Sequence, residues 1–159
     1  MHTPLRAAMH ALLMALAPPG LRAYSPDLPK RSLRAIRGAR TMYVAGFVIP
    51  VPGEKLDAYR QWAENSAKLF KEYGCLEIVE SWEDFVPDGK ETDFRRAVNA
   101  RASEKIVFSW QVWPDKETLD AVEAKMQDDP RFEITGEIPF DARRLIYGCF
   151  SPILTMRPA

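Results

Sequence analysis

The sequence predicts an α+β fold of the ferredoxin-like β-α-β-β-α-β type, in which a four-stranded antiparallel sheet carries two helices on one face. Four short segments rich in β-branched and aromatic residues alternate with two segments whose apolar residues recur every three or four positions. Proline, glycine and aspartate separate these segments. The chain has 159 residues, 47% of them apolar, which suits one domain with one hydrophobic core.

The first strand and the first helix are predicted directly after residue 42. Residues 43–49 are apolar on both alternating faces, which is typical of a central strand covered on both sides. Residues 54–73 carry a single apolar stripe with helical spacing. Gly74 follows that stripe, at the place where a left-handed C-terminal cap falls.

The remaining elements follow in the order strand, strand, helix, strand. The second strand is predicted over residues 76–85 and the third over 106–113. Residues 94–98 are expected to form a short strand, which is either separate or continuous with the third across a bulge near residues 101–104. Asp115 is a good N-cap for a helix that extends to about residue 127. The last strand is predicted over residues 144–150.

The two faces of the third strand differ in polarity. One is wholly apolar and the other is mixed; the apolar residues are Ile106, Phe108, Trp110 and Val112, and the mixed ones are Val107, Ser109, Gln111 and Trp113. We expect the apolar face beneath the helices and the mixed face, with Ser109 and Gln111, inside a barrel cavity. If both helices pack against one face of the sheet, the apolar residues on the other face of the first strand must be buried by something else. A second copy of the chain can bury them. A homodimer is therefore expected.

The chain divides by charge near residue 42. Residues 1–41 hold seven basic residues and one acidic residue, so the remainder has an excess of six acidic residues. We interpret 1–41 as a basic extension or a misassigned start, with an export signal in residues 1–17 or a transit peptide as alternatives. Residues 42–154 are expected to form one domain and 155–159 a tail.

Several classes of function are excluded by composition. Both histidines, His2 and His10, precede the predicted domain, which removes imidazole metal sites and a histidine base; no metal and no cofactor are expected. Cys75 and Cys149 fall on opposite edges of the predicted sheet, so no disulfide is expected. The acidic domain is a poor binder of nucleic acid, and no apolar run is long enough to span a membrane. The cytoplasm is the predicted location.

A set of motifs then resembles a known family. YVAGFVIPVP, DAYRQWA, LFKEYG, VPDGKETDF, VFSWQVWPDKE, DPRF and PFDARRLIYG occur in the order and spacing of the YbaA-like bacterial family. The resemblance covers residues 42–154 and implies a dimeric α+β barrel, a superfamily that also contains small cofactor-free monooxygenases. It implies no activity, because the YbaA-like family is functionally uncharacterised. Cys149 stands where the family pattern has a second glycine.

The candidate ligand-binding residues are Trp82, Ser109, Gln111, Arg144 and Tyr147, which we expect to line the barrel cavity, with Arg144 as a counter-charge. The alternative for Arg144 is a structural ion pair, in a group with Asp93, Arg95 and Asp141. Glu80 and Asp84 share one face of the second strand and are interpreted as solvated edge charges rather than as an acid–base pair. No catalytic residue is identified.

Three functional hypotheses remain open from the sequence. The first is a dimer that binds a small molecule in an aromatic-lined cavity without a recognisable acid–base set. The second is a cofactor-independent enzyme of the oxygenase or isomerase type, by analogy with the superfamily alone. The third is a structural or interaction module without activity. Whether the protein is an enzyme stays open at this stage.

Overall fold

The computed structural model describes residues 42–126, 129–132 and 138–156, so the predictions for residues 1–41 and for the end of the tail fall outside the described residues. The strands are β1 (Tyr43–Pro52), β2 (Glu77–Trp82), β3 (Glu104–Trp113) and β4 (Ile146–Phe150). The helices are α1 (Leu56–Glu72), α2 (Phe94–Ala97) and α3 (Lys116–Met126). They form one antiparallel sheet in the order β2-β3-β1-β4, which confirms the α+β class.

Strand β1 is central, as its two apolar faces predicted. It pairs along its whole length with β3, from Tyr43 opposite Trp113 to Pro52 opposite Glu104. On its other side it pairs with β4, where Gly46 lies opposite Gly148. This position gives β1 neighbours on both edges and places its odd-numbered residues on one face of the sheet and its even-numbered residues on the other.

Helix α1 buries the stripe predicted from its spacing and stops at the predicted glycine. Tyr59, Ala63, Ser66 and Phe70 are among its buried residues. Gly74 has a φ of +100°, where a side chain would strain the backbone, and the amide of Cys75 donates to the carbonyl of Phe70 at 2.9 Å. The turn directs the chain from the end of α1 into β2.

The prediction of a strand over residues 94–98 was wrong, because this segment begins with the helix α2. One oxygen of the Asp93 carboxylate accepts from the amide of Arg96 at 2.8 Å, and the other accepts from the amide of Gly89 at 3.2 Å. This N-cap stabilises a single helical turn that the apolar pattern does not reveal. The ring of Phe94 then packs against Phe108 with centroids 5.7 Å apart.

The prediction for the two faces of β3 was also wrong. The mixed set is buried: Val107, Ser109, Gln111 and Trp113 belong to the core. Trp113 forms a core cluster with Phe70 of α1 and with Leu119 and Val122 of α3, so both long helices cover this side of the sheet. We call this side the helix-covered face. Its polar groups can be buried because they bind one another, as described below.

The opposite side of the sheet is apolar and has no helix of the described residues across its centre. Phe108 is 44% exposed, Ile146 41% and Phe150 60%. We call this side the open face; its residues are Val44, Val48, Val79, Phe108, Trp110, Val112, Ile146 and Phe150. Among the described residues, no helix is long and apolar enough to cross a lipid bilayer.

Candidate functional site

A pocket lies between α1 and the helix-covered face of the sheet. Its volume is about 40 Å³, which accommodates a few water molecules or a compound of a few heavy atoms rather than a drug-sized ligand. Its walls are mostly apolar and aromatic. The lining residues are Phe47, Ile49, Tyr59, Trp62, Ala63, Ser66, Ala67, Phe70, Ile78, Glu80, Ser109, Gln111 and Leu145.

Glu80 is the acidic group of this pocket, and both of its carboxylate oxygens are engaged. The hydroxyl of Tyr59 donates to Oε2 at 2.7 Å, and the hydroxyl of Ser109 donates to Oε1 at 2.9 Å. Glu80 lies directly opposite Ser109 in the pairing of β2 with β3, whereas Tyr59 reaches it from α1. The sheet register and the helix therefore hold the carboxylate from two directions.

The surroundings of Glu80 favour its protonated form more than water does. Protein atoms around the carboxyl group remove water and raise its pKa, although the residue as a whole is exposed where the pocket opens. The hydrogen bonds from Tyr59 and Ser109 act in the opposite direction. Burial, and then the charge of Glu80, raise the pKa of Tyr59, so that its hydroxyl remains a donor. Glu80 is thus a carboxyl group poised to take up a proton closer to neutral pH than a solvated glutamate.

Gln111 also lines this pocket. The buried indole nitrogen of Trp113 donates to Oε1 of Gln111 at 3.2 Å, which fixes the amide plane. The amide nitrogen makes no hydrogen bond with any described residue. Because Gln111 lies opposite Ile78, it is the diagonal cross-strand neighbour of Glu80. Both side chains line the same pocket, one from β2 and one from β3.

Trp62 adds a second donor beside the pocket. Its ring packs edge-on against Phe140 with centroids 5.1 Å apart and lies 5.7 Å from the ring of Tyr59. Its indole nitrogen is buried and has no acceptor within the described part of the chain. An unsatisfied buried donor costs about 1–3 kcal/mol, so an acceptor brought within its reach would stabilise the fold.

Two of the five candidate residues meet in this pocket and three do not. Ser109 and Gln111 line it, but on the helix-covered face rather than inside a barrel between two copies. Trp82 packs at the edge of the core cluster that contains Tyr59 and Val107. Tyr147 packs against Phe47 with ring centroids 5.0 Å apart, and its hydroxyl lies 2.8 Å from the sulfur of Cys149.

Arg144 lies in an ion-pair cluster at the end of the sheet; of its predicted group it binds Asp141, whereas Asp93 pairs with Arg96. Its guanidinium group binds both oxygens of Glu104, at 2.7 and 2.5 Å, and one oxygen of Asp141 at 3.3 Å. Glu104 is 3% exposed, and its hydrogen bonds with Arg144 hold its pKa below the usual range. Arg95 pairs with Glu83 at 2.8 Å. These cations are committed to carboxylates, so they do not supply a counter-charge to the pocket.

Tyr59, Trp62 and Glu80 are not among the residues predicted for the site. Glu80 lies on an edge strand and is exposed, as expected for an edge charge, but both of its oxygens also accept hydrogen bonds from buried hydroxyl groups. The available signal was the strand pairing: once β2 is aligned with β3, Glu80 falls opposite Ser109. Tyr59 and Trp62 are three residues apart in α1 and were counted only as part of a helix.

Metal-binding groups are not gathered in the described ranges. No three side chains of histidine, cysteine, aspartate or glutamate come together there in a way that would hold an ion. Cys75 lies just before β2 and Cys149 in β4, at opposite edges of the sheet, and neither is in a disulfide bond.

The chain matches a family model and known proteins over most of its length. The family model described as a protein of unknown function, DUF1428, matches residues 42–142. The chain is 55% identical over 113 residues to the uncharacterized protein YbaA of Escherichia coli K12, which covers 70% of this chain and 97% of that protein. The uncharacterized protein YbaA of Shigella flexneri matches with the same identity and coverage.

Proposed function

Since the chain belongs to the family of proteins of unknown function DUF1428, we propose a function from its own geometry: it binds a small uncharged molecule in the pocket beside α1. We propose further that two copies pair through their open faces, so that two ferredoxin-like sheets form a dimeric α+β barrel. Each pocket then belongs to one protomer and lies outside the space between the two sheets.

The observation that carries the binding proposal is the combination of apolar walls with fixed polar groups in one small pocket. Aromatic and aliphatic side chains form the walls, while Glu80 and Gln111 are each held by buried partners. Binding sites for small molecules typically combine a mostly apolar lining with a few oriented polar groups. A core that only needed filling would gain nothing from an unpaired amide at this place.

The charge of the lining defines the ligand class. Glu80 is the acidic group, and among the described residues no lysine, arginine or histidine lines the pocket. An anion would meet a carboxylate without a compensating cation, which is costly in a largely apolar site. An uncharged molecule with a hydrogen-bond acceptor suits the amide of Gln111. The volume of about 40 Å³ limits its size to a few heavy atoms.

An experiment with two isosteric compounds tests this proposal. Isobutyramide and isobutyrate have the same shape and differ in charge, and both can be titrated at pH 7 by ligand-observed NMR. Isobutyramide should bind in a saturable manner and isobutyrate at least about tenfold more weakly. Equal binding of both compounds, or binding of neither, would contradict the proposal.

A pair of variants in α1 locates the binding. Ala67 lines the pocket and is half-buried, so Ala67→Leu places three more carbon atoms in or beside the cavity. Ala58 is exposed on the same helix, so Ala58→Leu is the matched control. We expect Ala67→Leu to weaken isobutyramide binding about tenfold and Ala58→Leu to leave it unchanged. The same affinity in both variants would place the ligand elsewhere.

The dimer proposal rests on the open face. Its aromatic residues Phe108 and Phe150 are 44% and 60% exposed in the single chain, and a contiguous apolar surface of this kind marks an interaction site. A second copy is the expected occupant, with on the order of 800 Å² buried on each partner. Sedimentation velocity at micromolar concentration should give a dimer, and a monomer would contradict it.

A location in the cytoplasm, where thiols such as Cys75 stay reduced, belongs to the same proposal.

A further inference from the structure

The pocket contains a base and a hydrogen-bond donor on neighbouring strands. Glu80 accepts one hydrogen bond at each carboxylate oxygen, and each oxygen keeps a further lone pair. Gln111 on β3 offers an amide N–H that no described residue uses. They are diagonal neighbours across β2 and β3, and both line the same pocket. A carbonyl compound bound there would have its oxygen at Gln111 and its α-carbon at Glu80.

We infer that this pocket, whose occupancy is the proposed function, catalyses proton transfer at the carbon next to the carbonyl group of small aldehydes or ketones, with Glu80 as the base and Gln111 as the donor to the carbonyl oxygen. The α-carbon–hydrogen bond breaks and its proton moves to a carboxylate oxygen of Glu80. The electron pair of that bond forms the carbon–carbon double bond of an enolate, and the carbonyl π pair moves to oxygen. Return of the proton to carbon restores Glu80 and the carbonyl compound.

This reaction class needs only the groups that the pocket has. Proton transfer in both directions is balanced without an oxidant, a reductant or a second substrate. Catalysed enolisation needs a base and a hydrogen-bond donor to the carbonyl oxygen, where negative charge develops. Glu80, whose pKa is raised by lost hydration, is the base, and Gln111 is the donor.

The residues around Glu80 and Gln111 position them. Tyr59 and Ser109 hold the carboxylate at 2.7 and 2.9 Å, and Trp113 holds the amide plane of Gln111. None of these three needs to touch the substrate. Removing one of them should therefore change the rate through the orientation of Glu80 and Gln111 or through the pKa of Glu80. In Tyr59→Phe the pH at which the rate is half-maximal should shift.

The inference is tested with 2-butanone, a five-heavy-atom ketone. The full chain is incubated with 2-butanone in D₂O near neutral pH, and the loss of α-proton signals is followed by ¹H NMR against a buffer blank. Exchange should increase in proportion to protein concentration. Glu80→Gln should lower the protein-dependent rate about 100-fold, the usual contribution of a general base, and Gln111→Leu should lower it about tenfold. Glu91→Gln, at an exposed position outside the pocket, is the control and should exchange like the wild type.

Further measurements separate this inference from the proposed function. Binding of isobutyramide, measured for each variant, shows whether the pocket is intact. If isobutyramide binds but exchange of 2-butanone equals the blank, or Glu80→Gln exchanges like the wild type, the inference is wrong and the proposed function stands. If isobutyramide does not bind the wild type, both fail. Should Glu80→Gln not fold, Glu80→Asp retracts the base by one methylene and must still slow the exchange; an unchanged rate there overturns the inference.

Discussion

Trp113 and Trp110 lie on the same strand, three residues apart and on opposite faces of the sheet, and their surroundings differ. Trp113 is completely buried beneath the helices and donates to Gln111, whereas Trp110 is half-buried on the open face and donates to Glu77 at 3.3 Å. The long helices cover the face on which β3 carries serine and glutamine, and they leave open the face on which β3 is apolar. A buried face therefore need not be the more apolar one, provided that its polar groups bind one another.

The largest expected effect comes from truncating each tryptophan in turn. Trp113→Ala should lower the free energy of unfolding by about 4 kcal/mol, as expected for a large-to-small change in a core. Trp110→Ala should lower it by less than half as much, because the side chain is only half-buried in the single chain. Urea denaturation of both variants, at a protein concentration at which the proposed dimer is dissociated, measures the difference. Equal losses would remove the distinction between the two faces.

The ion-pair cluster at the end of the sheet gives the next largest effect. Glu104→Gln should cost about 3 kcal/mol at pH 7, because it leaves the largely buried Arg144 without its bidentate partner. The pKa of Glu104 is lowered in the folded protein, so its contribution is present at neutral pH and is lost as the pH falls through that lowered pKa. The difference between variant and wild type should therefore shrink well below pH 4. A difference that is constant from pH 7 to pH 3 would contradict this account of Glu104.

A charge on the open face should act on association rather than on folding. Phe108→Glu is expected to weaken the proposed dimer by about 2 kcal/mol, or roughly 30-fold in Kd, because a carboxylate would have to be buried against apolar residues. Sedimentation equilibrium measures this change, and circular dichroism checks that the variant is folded. Ala58→Glu adds the same charge at an exposed position of α1 and should leave Kd unchanged. If Ala58→Glu is monomeric, or if Phe108→Glu remains fully dimeric, the open face is not the interface.

The smallest effect is expected at Tyr59. Tyr59→Phe removes one hydrogen bond to Glu80 and should lower stability by about 1 kcal/mol. Because that bond lowers the pKa of Glu80, its loss should raise this pKa, as followed by the carboxyl ¹³C shift during a pH titration. An unchanged or lower pKa of Glu80 in the variant would mean that Tyr59 does not hold the carboxylate.

Features that depend on local chemistry could be predicted from the sequence. The two apolar faces of residues 43–49 predicted a central strand, and β1 is central. Gly74 has the expected left-handed conformation, and the side chain of Asp115 accepts from the amide of Thr118 at 2.8 Å, as an N-cap does. Each of these depends on residues that are adjacent in the chain, where residue type and spacing carry the information.

Features that depend on pairing between distant segments could not be predicted. Apolar content assigned the faces of β3 the wrong way round, because the spacing of residues does not reveal that Ser109 binds Glu80 from a neighbouring strand. The pocket itself joins α1 with three strands, so its donors and acceptors are assembled only by the fold. Helix α2 was missed because a single turn depends on the cap at Asp93 rather than on a periodic pattern.

In the proposed function, the ligand lies beneath the helices of one protomer and not between the open faces of two copies. The side-chain N–H resonances of Trp62, Trp110 and Gln111 report on these two places in one ¹⁵N-correlated NMR titration with isobutyramide. The account predicts saturable shifts for Trp62 and Gln111, which line the pocket, and none for Trp110 on the open face. Saturable shifts of Trp110 with no change at Trp62 and Gln111 would place the ligand between the sheets and contradict it.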